Sequence, residues 1–569
     1  MKKKYWIILS VIILLIYAIL YFFFFKEKSA NSVVNGNLRI FTLDDKFVDN
    51  SRISVDANQR IRIKIKTEIT DVLPVNYGMF YNILSGNEKS KTIDIYSIEQ
   101  KSYDAISGTT NKKNLSFLIE IVNSGNEKVD IAFDIKTSEL SLSSELNEHK
   151  IYNKEQNIVN EPLLADGMIP IYYDEFSSHW KKADFDNWYD YKNKKWANAV
   201  SVTESSRNSY IKAKANTIIK EDDILAYYVW IPRYKYKLFN VDFVITNPIA
   251  IDIKFELSSD EKSSGSSNGE WLTHPAFTLG DEELTGIWVG KFETTGTRKN
   301  PTIKPNFISL THDPVDIQFT ISQKFSTQSY VNVNGSTDVD SHITRNMEWG
   351  AVVYLSNSIN GICNDVECKN LRNNNVNSIP DGKYGATITG CSSISSNGDM
   401  VSSNSCESHF SKPYNDLSVG VLASTTHSIY GVYDMNGGNW EATMAVMLSE
   451  DNQHIISGYD KYNNSSYDGV LSNGELYKEI ELIDLKYLDL YSFNKDSLNF
   501  SGSKLGDATG ETRGWFDDYS IFISNEKSWF MRSGTYAHGK HDGMFAFGSS
   551  VGSFSYIKTF RVALAVFNK

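Results

Sequence analysis

The sequence predicts a mainly β chain with an α+β carboxyl-terminal part, set behind one amino-terminal transmembrane helix. Three observations carry this reading. Residues 5–25 form an uninterrupted apolar run. Apolar and charged residues alternate strictly in several later stretches, and only residues 342–356 show apolar positions recurring every three or four residues. A period of two buries one face of a strand, whereas a period near 3.6 buries one face of a helix.

The apolar run has 21 residues, and at about 1.5 Å rise each a helix of that length spans a hydrocarbon core roughly 30 Å thick. A cleavable signal peptide has a shorter apolar region ending in small residues; this one ends in Phe22, Phe23, Phe24 and Phe25. Lys2, Lys3 and Lys4 precede the run, and only Lys26 and Lys28, offset by Glu27, follow it. The positive-inside rule then places the amino terminus in the cytoplasm and everything after residue 28 outside a single-pass cell membrane protein. The chain carries a net charge of −12. Residues 1–28 hold five lysines and one glutamate, net +4, so the exterior part carries −12 − 4 = −16. Such a surface repels nucleic acid and favours divalent cations.

The exterior chain divides into three stretches. Residues 33–140 read as an immunoglobulin-like β-sandwich serving as a stalk: Ile61, Ile63 and Ile65 alternate with Arg and Lys, and Val129, Ile131, Phe133 and Ile135 alternate mostly with Asp and Lys. Residues 123–126, Asn-Ser-Gly-Asn, between two such runs predict a hairpin turn. Residues 141–225 begin as a polar linker and continue as a small aromatic-rich β module, or as a decorated entrance to the next domain, with Trp180, Trp188, Tyr189, Tyr191 and Trp196, a set that suits either sugar stacking or core packing. Residues 226–569 form the α+β part, with a helix over 342–356 capped by Asp340 or Ser341.

Cys363, Cys368, Cys391 and Cys406 are the only cysteines. Outside the membrane an even, clustered set favours disulfides, and of the three possible pairings Cys363–Cys368 with Cys391–Cys406 needs the least reach. A zinc site joining these thiolates to His409 lacks the C-x-x-C spacing. Residues 538–542, HGKHD, could gather a metal or simply form a hydrophilic loop. No G-x-S-x-G, H-E-x-x-H, phosphate-binding or dinucleotide motif occurs.

Residues 420–444, GVLASTTHSIYGVYDMNGGNWEATM, together with AYYVWIPRYKY, LTGIWVGKFETTG, WFMRSG and FRVALAVF, resemble the formylglycine-generating enzyme, or sulfatase-modifying-factor, family. The resemblance covers residues 226–569 and implies a C-type-lectin-like fold. In the similar turn of that family calcium is held at positions matching Asp434, Gly437, Asn439 and Glu441, all of which offer oxygen here. The double glycine, where the family has Gly-Asn, leaves the turn less constrained. Oxidase members bind copper through a cysteine pair near the carboxyl end, and no cysteine follows Cys406, so neither copper nor that catalysis is expected. By the same resemblance residues 532–559 form an exposed ligand face, with Arg532, Tyr536, His538, Lys540, His541, Phe545, Phe547 and Tyr556 as its recognition residues. The sequence therefore predicts a non-catalytic, lectin-like surface protein binding an extracellular glycan or protein, for example in adhesion. An enzyme with another site, or a pilus-like structural component, are the alternatives.

Overall fold

The computed structural model describes residues 38–68, 75–84, 93–97, 107–110, 114–138 and 159–567, apart from 124, 126, 185–187, 258–260, 333–338, 365–366, 379–384, 396–398 and 451–483. The protein is mainly β. Its chain separates into two units, residues 1–156 and 157–569. The predicted anchor, residues 1–28, and most of the linker lie outside the described residues. Among the described residues no helix is long and apolar enough to cross a membrane.

In the first unit two antiparallel sheets share one core. One runs Phe47–Asp49, Arg39–Phe41, Arg60–Glu68, Asn114–Asn123, Ile93–Ser97; the other runs Arg52–Val55, Val129–Ser138, Val75–Ile83, Ser107–Thr110. Ile63, Ile65, Ile119 and Ile121 from the first meet Val55, Met79, Ile131 and Ile135 from the second, the inward half of the predicted alternation. The expected hairpin at residues 123–126 is corrected: Asn114–Asn123 pairs with Arg60–Glu68, while Val129–Ser138 pairs with strands of the other sheet. The turn is a crossover between sheets. Asn123 holds it, its buried amide donating to the carbonyls of Val55, Asp56 and Glu127 at 3.1, 3.1 and 2.8 Å, while its Oδ1 accepts from the Gly125 N–H at 3.0 Å.

The second unit is organised by a seven-stranded antiparallel sheet in the order His179–Lys182, Met168–Asp174, Asn198–Val202, Ile224–Pro232, Gly286–Gly290, Val562–Val566, Val339–Ile343. Its early and late segments meet directly, Trp288 opposite Leu564 and Val289 opposite Ala563. Of the two readings of residues 141–225, the separate module does not hold: residues from 157 onward belong to the same unit as the rest. Three strands of that segment extend the main sheet, and Trp180, Trp188, Tyr191 and Trp196 are buried in the main core. The packing alternative holds for this aromatic set: Trp188 stacks on Trp288 at 6.4 Å and Tyr191 on Trp196 at 6.2 Å. A second, mixed sheet sets Trp440–Met447 between Asp489–Tyr491 and Trp529–Arg532, with Phe547–Ser550 beyond, and Lys558–Phe560 parallel to its start.

The predicted helix spans Asn346–Ser356, every residue of it buried. It starts later than expected because residues 339–343 form the edge strand of the main sheet. Its cap is Arg345, whose backbone N–H donates to Glu348 at 2.9 Å, not Asp340 or Ser341. His342 sits between Asp340 Oδ1 at 2.9 Å and Glu348 Oε1 at 3.0 Å. Burial alone would lower its proton affinity, but Glu348 and Asp340 outweigh that and push it up to about 9. Despite the same burial, Asp340 and Glu348 are held down to about 2.

A pH dependence follows from linkage. The raised His342 contributes stability that is full below its unfolded value near 6.5 and is lost as pH rises through about 9. The lowered carboxylates contribute stability that is full above their unfolded values and is lost as pH falls toward about 2. Melting temperatures of the wild type and of His342→Asn are therefore expected to differ most near pH 5–6.5 and to converge above about pH 9; a constant difference across that range would contradict the network.

Candidate functional site

The turn preceding Trp440–Met447 carries the chemistry singled out in the sequence. Asp434, Gly437 and Gly438 all have left-handed backbone angles, φ 59°, 75° and 74°. Each glycine is demanded by a close neighbour. A Cβ at 437 would lie 2.0 Å from Asn373 Oδ1, and one at 438 would lie 2.4 Å from Glu293 Oε1. The double glycine thus constrains the turn, the reverse of the sequence expectation.

Protein donors occupy most of the predicted calcium set. Glu441 is paired in bidentate fashion with Arg561, both side chains fully buried; Arg561 Nε donates to Glu441 Oε2 at 2.9 Å and Nη2 donates to Oε1. The remaining guanidinium donors go to the Gly290 and Tyr433 carbonyls at 2.8 and 2.9 Å. Asp434 Oδ1 accepts from Asn374 Nδ2 at 2.7 Å, and both its oxygens accept from the Gly390 N–H at 3.0 Å. The Gly437 carbonyl accepts from Ser533 Oγ. The backbone N–H of Asn439 donates to Glu293 Oε1 at 2.6 Å, and its side-chain amide donates to Thr387 Oγ1 at 2.9 Å.

Burial pushes Glu441 up to about 7 against the pull of Arg561. Burial also raises Glu293, with Asp434 and Glu441 adding repulsion. Among the described residues no group of three or more His, Cys, Asp or Glu side chains is placed to hold a metal ion. Glu293 and Arg561 were absent from the predicted set although both lie in quoted stretches. The sequence signal available was charge inside an otherwise apolar strand pattern, Lys291 and Glu293 in GKFE and Arg561 in FRVALAVF.

The predicted ligand face is only partly a surface. Arg532, Tyr536, Phe545 and Phe547 are buried, which corrects their assignment as recognition residues. Arg532 donates to the Asp507 and Ala508 carbonyls at 3.3 and 2.9 Å. Tyr536 OH accepts from the Gly385 N–H at 2.8 Å. Phe545 packs edge-on to Trp515 with ring centroids 5.2 Å apart, and Phe547 joins the cluster of Phe500, Phe522 and Phe530. His538, Lys540 and His541 are exposed on a turn held by Asp517 and Asp542.

Tyr556 belongs to a different surface. It is 58% exposed beside Phe554 at 37%, and both rings close on His312, with centroids 3.8 and 5.2 Å from the imidazole. The segment bearing them is anchored by its backbone: the His312 N–H donates to the carbonyl of Ser555, between the two rings, at 3.0 Å, and the Trp440 N–H donates to the Ile557 carbonyl at 2.9 Å. Next to the rings the carboxylate of Asp313, itself buried, pairs with the exposed Arg298 at 2.5 Å. No known family model matches the chain, and no curated protein matches it. His312, Arg298 and Asp313 carried no sequence signal; they lie far from residues 554–556 in the chain and only the fold brings them there.

The pairing of Cys363 with Cys368 and of Cys391 with Cys406 is as expected. All four cysteines of the chain are thereby engaged.

Proposed function

We propose that this is a membrane-anchored, non-catalytic surface protein of the formylglycine-generating enzyme type, with a C-type-lectin-like domain that binds an extracellular glycan or protein through the aromatic face of His312, Phe554 and Tyr556. The exposed aromatic cluster carries the reading. Large rings left together at the surface on an anchored loop are what recognition anchors look like, since they offer contact area with little side-chain entropy to lose. Support for the family comes from the quoted stretches, three of which fall on adjoining strands of the main sheet while another carries the glycine turn leading into Trp440–Met447. Every cysteine is engaged in a disulfide, so no free thiolate is available for copper-dependent oxidation. The immunoglobulin-like stalk and the outward orientation complete the reading as first drawn from sequence. The test is a binding screen of the full chain, in detergent, against a glycan array and a panel of surface proteins; saturable binding to a defined ligand is expected, and conversion of a cysteine-containing sulfatase peptide to formylglycine under copper and oxygen would overturn the non-catalytic reading.

In this reading the cation of the Asp434–Glu441 turn is the Arg561 guanidinium, so calcium can reach Glu441 only by displacing a buried bidentate partner. Melting curves in chelator and in millimolar calcium are expected to coincide; an upward shift with calcium would restore the calcium assignment, because an ion bound only by the native state stabilises it.

A further inference from the structure

We propose that His538 and His541 form an open binding site for one divalent transition-metal ion, using the Nε2 atoms of both imidazoles and leaving the remaining coordination positions to water or to a donor from a bound molecule. The two residues bracket a single 3₁₀ turn, Gly539–His541, with His538 as its cap. Residues three apart eclipse in a 3₁₀ turn, so both rings leave from one side. Their side chains are 54% and 47% exposed.

The hydrogen bonds fix which nitrogen is available. His541 Nδ1 lies 2.9 Å from the backbone carbonyl of Asp517. A carbonyl only accepts, so Nδ1 carries the proton and the lone pair of the neutral ring is on Nε2. His538 Nδ1 lies 3.3 Å from Asp542 Oδ1, and the other oxygen of that carboxylate accepts the His538 backbone N–H at 3.0 Å. The same tautomer results. A metal-bound histidine typically has this arrangement, its second nitrogen donating to a carboxylate or carbonyl that orients the ring and raises its basicity.

The support beneath the site is rigid. Asp542 is fully buried, and its carboxylate presses on Gly534 so closely that a Cβ there would lie 2.2 Å from Oδ1. Lys540, between the two histidines, is drawn to Asp517 by an ion pair at 2.8 Å, which lowers its repulsion of an incoming cation. Among the described residues no third His, Cys, Asp or Glu joins the two imidazoles, so the ion would be held by two protein nitrogens. Imidazole nitrogen selects zinc, copper or nickel over calcium or magnesium.

Calorimetric titration of the full chain with Zn²⁺ alone tests this. One equivalent is expected to bind, with affinity reduced about tenfold or more in His538→Gln and in His541→Gln, whereas His179→Gln and His409→Gln, at exposed histidines elsewhere, bind as wild type. With Cu²⁺ as probe, electron paramagnetic resonance is expected to show two imidazole nitrogens in the wild type and one in each single variant. Both variants replace exposed side chains, and their metal-free melting temperatures are expected to match the wild type, which separates lost ligation from unfolding. Absence of stoichiometric Zn²⁺ binding, or equal affinity in the wild type and both variants, would overturn the proposal.

Discussion

Arg561→Met is expected to destabilise the second unit by about 3–5 kcal/mol, because it strands a carboxylate that has no access to water. Glu441 and Arg561 are both fully buried, and the guanidinium also satisfies the carbonyls of Gly290 and Tyr433. The variant thus loses the ion pair and two further hydrogen bonds at the junction of both sheets. Adding Glu441→Gln to Arg561→Met is expected to recover part of the loss, since replacing both partners removes the uncompensated charge while the two carbonyls stay unmatched. Denaturation followed by tryptophan fluorescence reads the correct unit, because all tryptophans except Trp6 lie beyond residue 157. A single variant within about 1 kcal/mol of wild type, or a double variant less stable than Arg561→Met, would contradict the role given to this pair.

Phe545→Ala is expected to cost a similar amount, about 3–5 kcal/mol, the range for emptying a buried phenylalanine site. Its ring is buried against Trp515 and lies stacked on Phe516 at 6.1 Å, and its backbone N–H is held by Asp518 at 3.0 Å. Tyr556→Ala, only 11 residues later, is expected to change stability by no more than about 0.5 kcal/mol, as is usual for a surface side chain. Equal losses in the two variants would mean that the boundary between scaffold and surface in this loop is misplaced.

Much of the fold was legible because it rests on local periodicity. The alternation at residues 60–68 and 129–135 gave strands with the correct inward faces; the stretches around 229 and 286, singled out by the resemblance and not by periodicity, pair with each other in register, Trp230 opposite Trp288. Pairing partners were less legible. The same alternation and the same Asn-Ser-Gly-Asn turn serve a hairpin or a crossover, and the choice is made by Asn123 reaching carbonyls near residue 55, a distant part of the chain. The aromatic set at 180–196 likewise looks alike in sequence whether it lines a groove or fills a core.

The glycines of residues 532–559 illustrate why exposure was not legible. Gly534 and Gly543 are small so that buried carboxylates can press against the backbone. A Cβ at 543 would lie 2.0 Å from Asp518 Oδ1. Close approach and free exposure both select glycine, and only tertiary structure distinguishes them. The recognition face needed the fold still more, since His312 joins Phe554 and Tyr556 through a backbone bond between segments more than 200 residues apart.

The central claim is that ligand recognition rests on His312, Phe554 and Tyr556 and not on the buried loop aromatics Tyr536, Phe545 and Phe547. The most direct measurement is the affinity of full-length wild type, Tyr556→Ala and Phe554→Ala for a ligand found in the glycan and surface-protein screen, with melting temperatures recorded alongside. Each variant is expected to bind about tenfold more weakly or worse, as for a truncated anchor of at least about 1.4 kcal/mol, with melting unchanged; wild-type affinity in both variants would contradict the account.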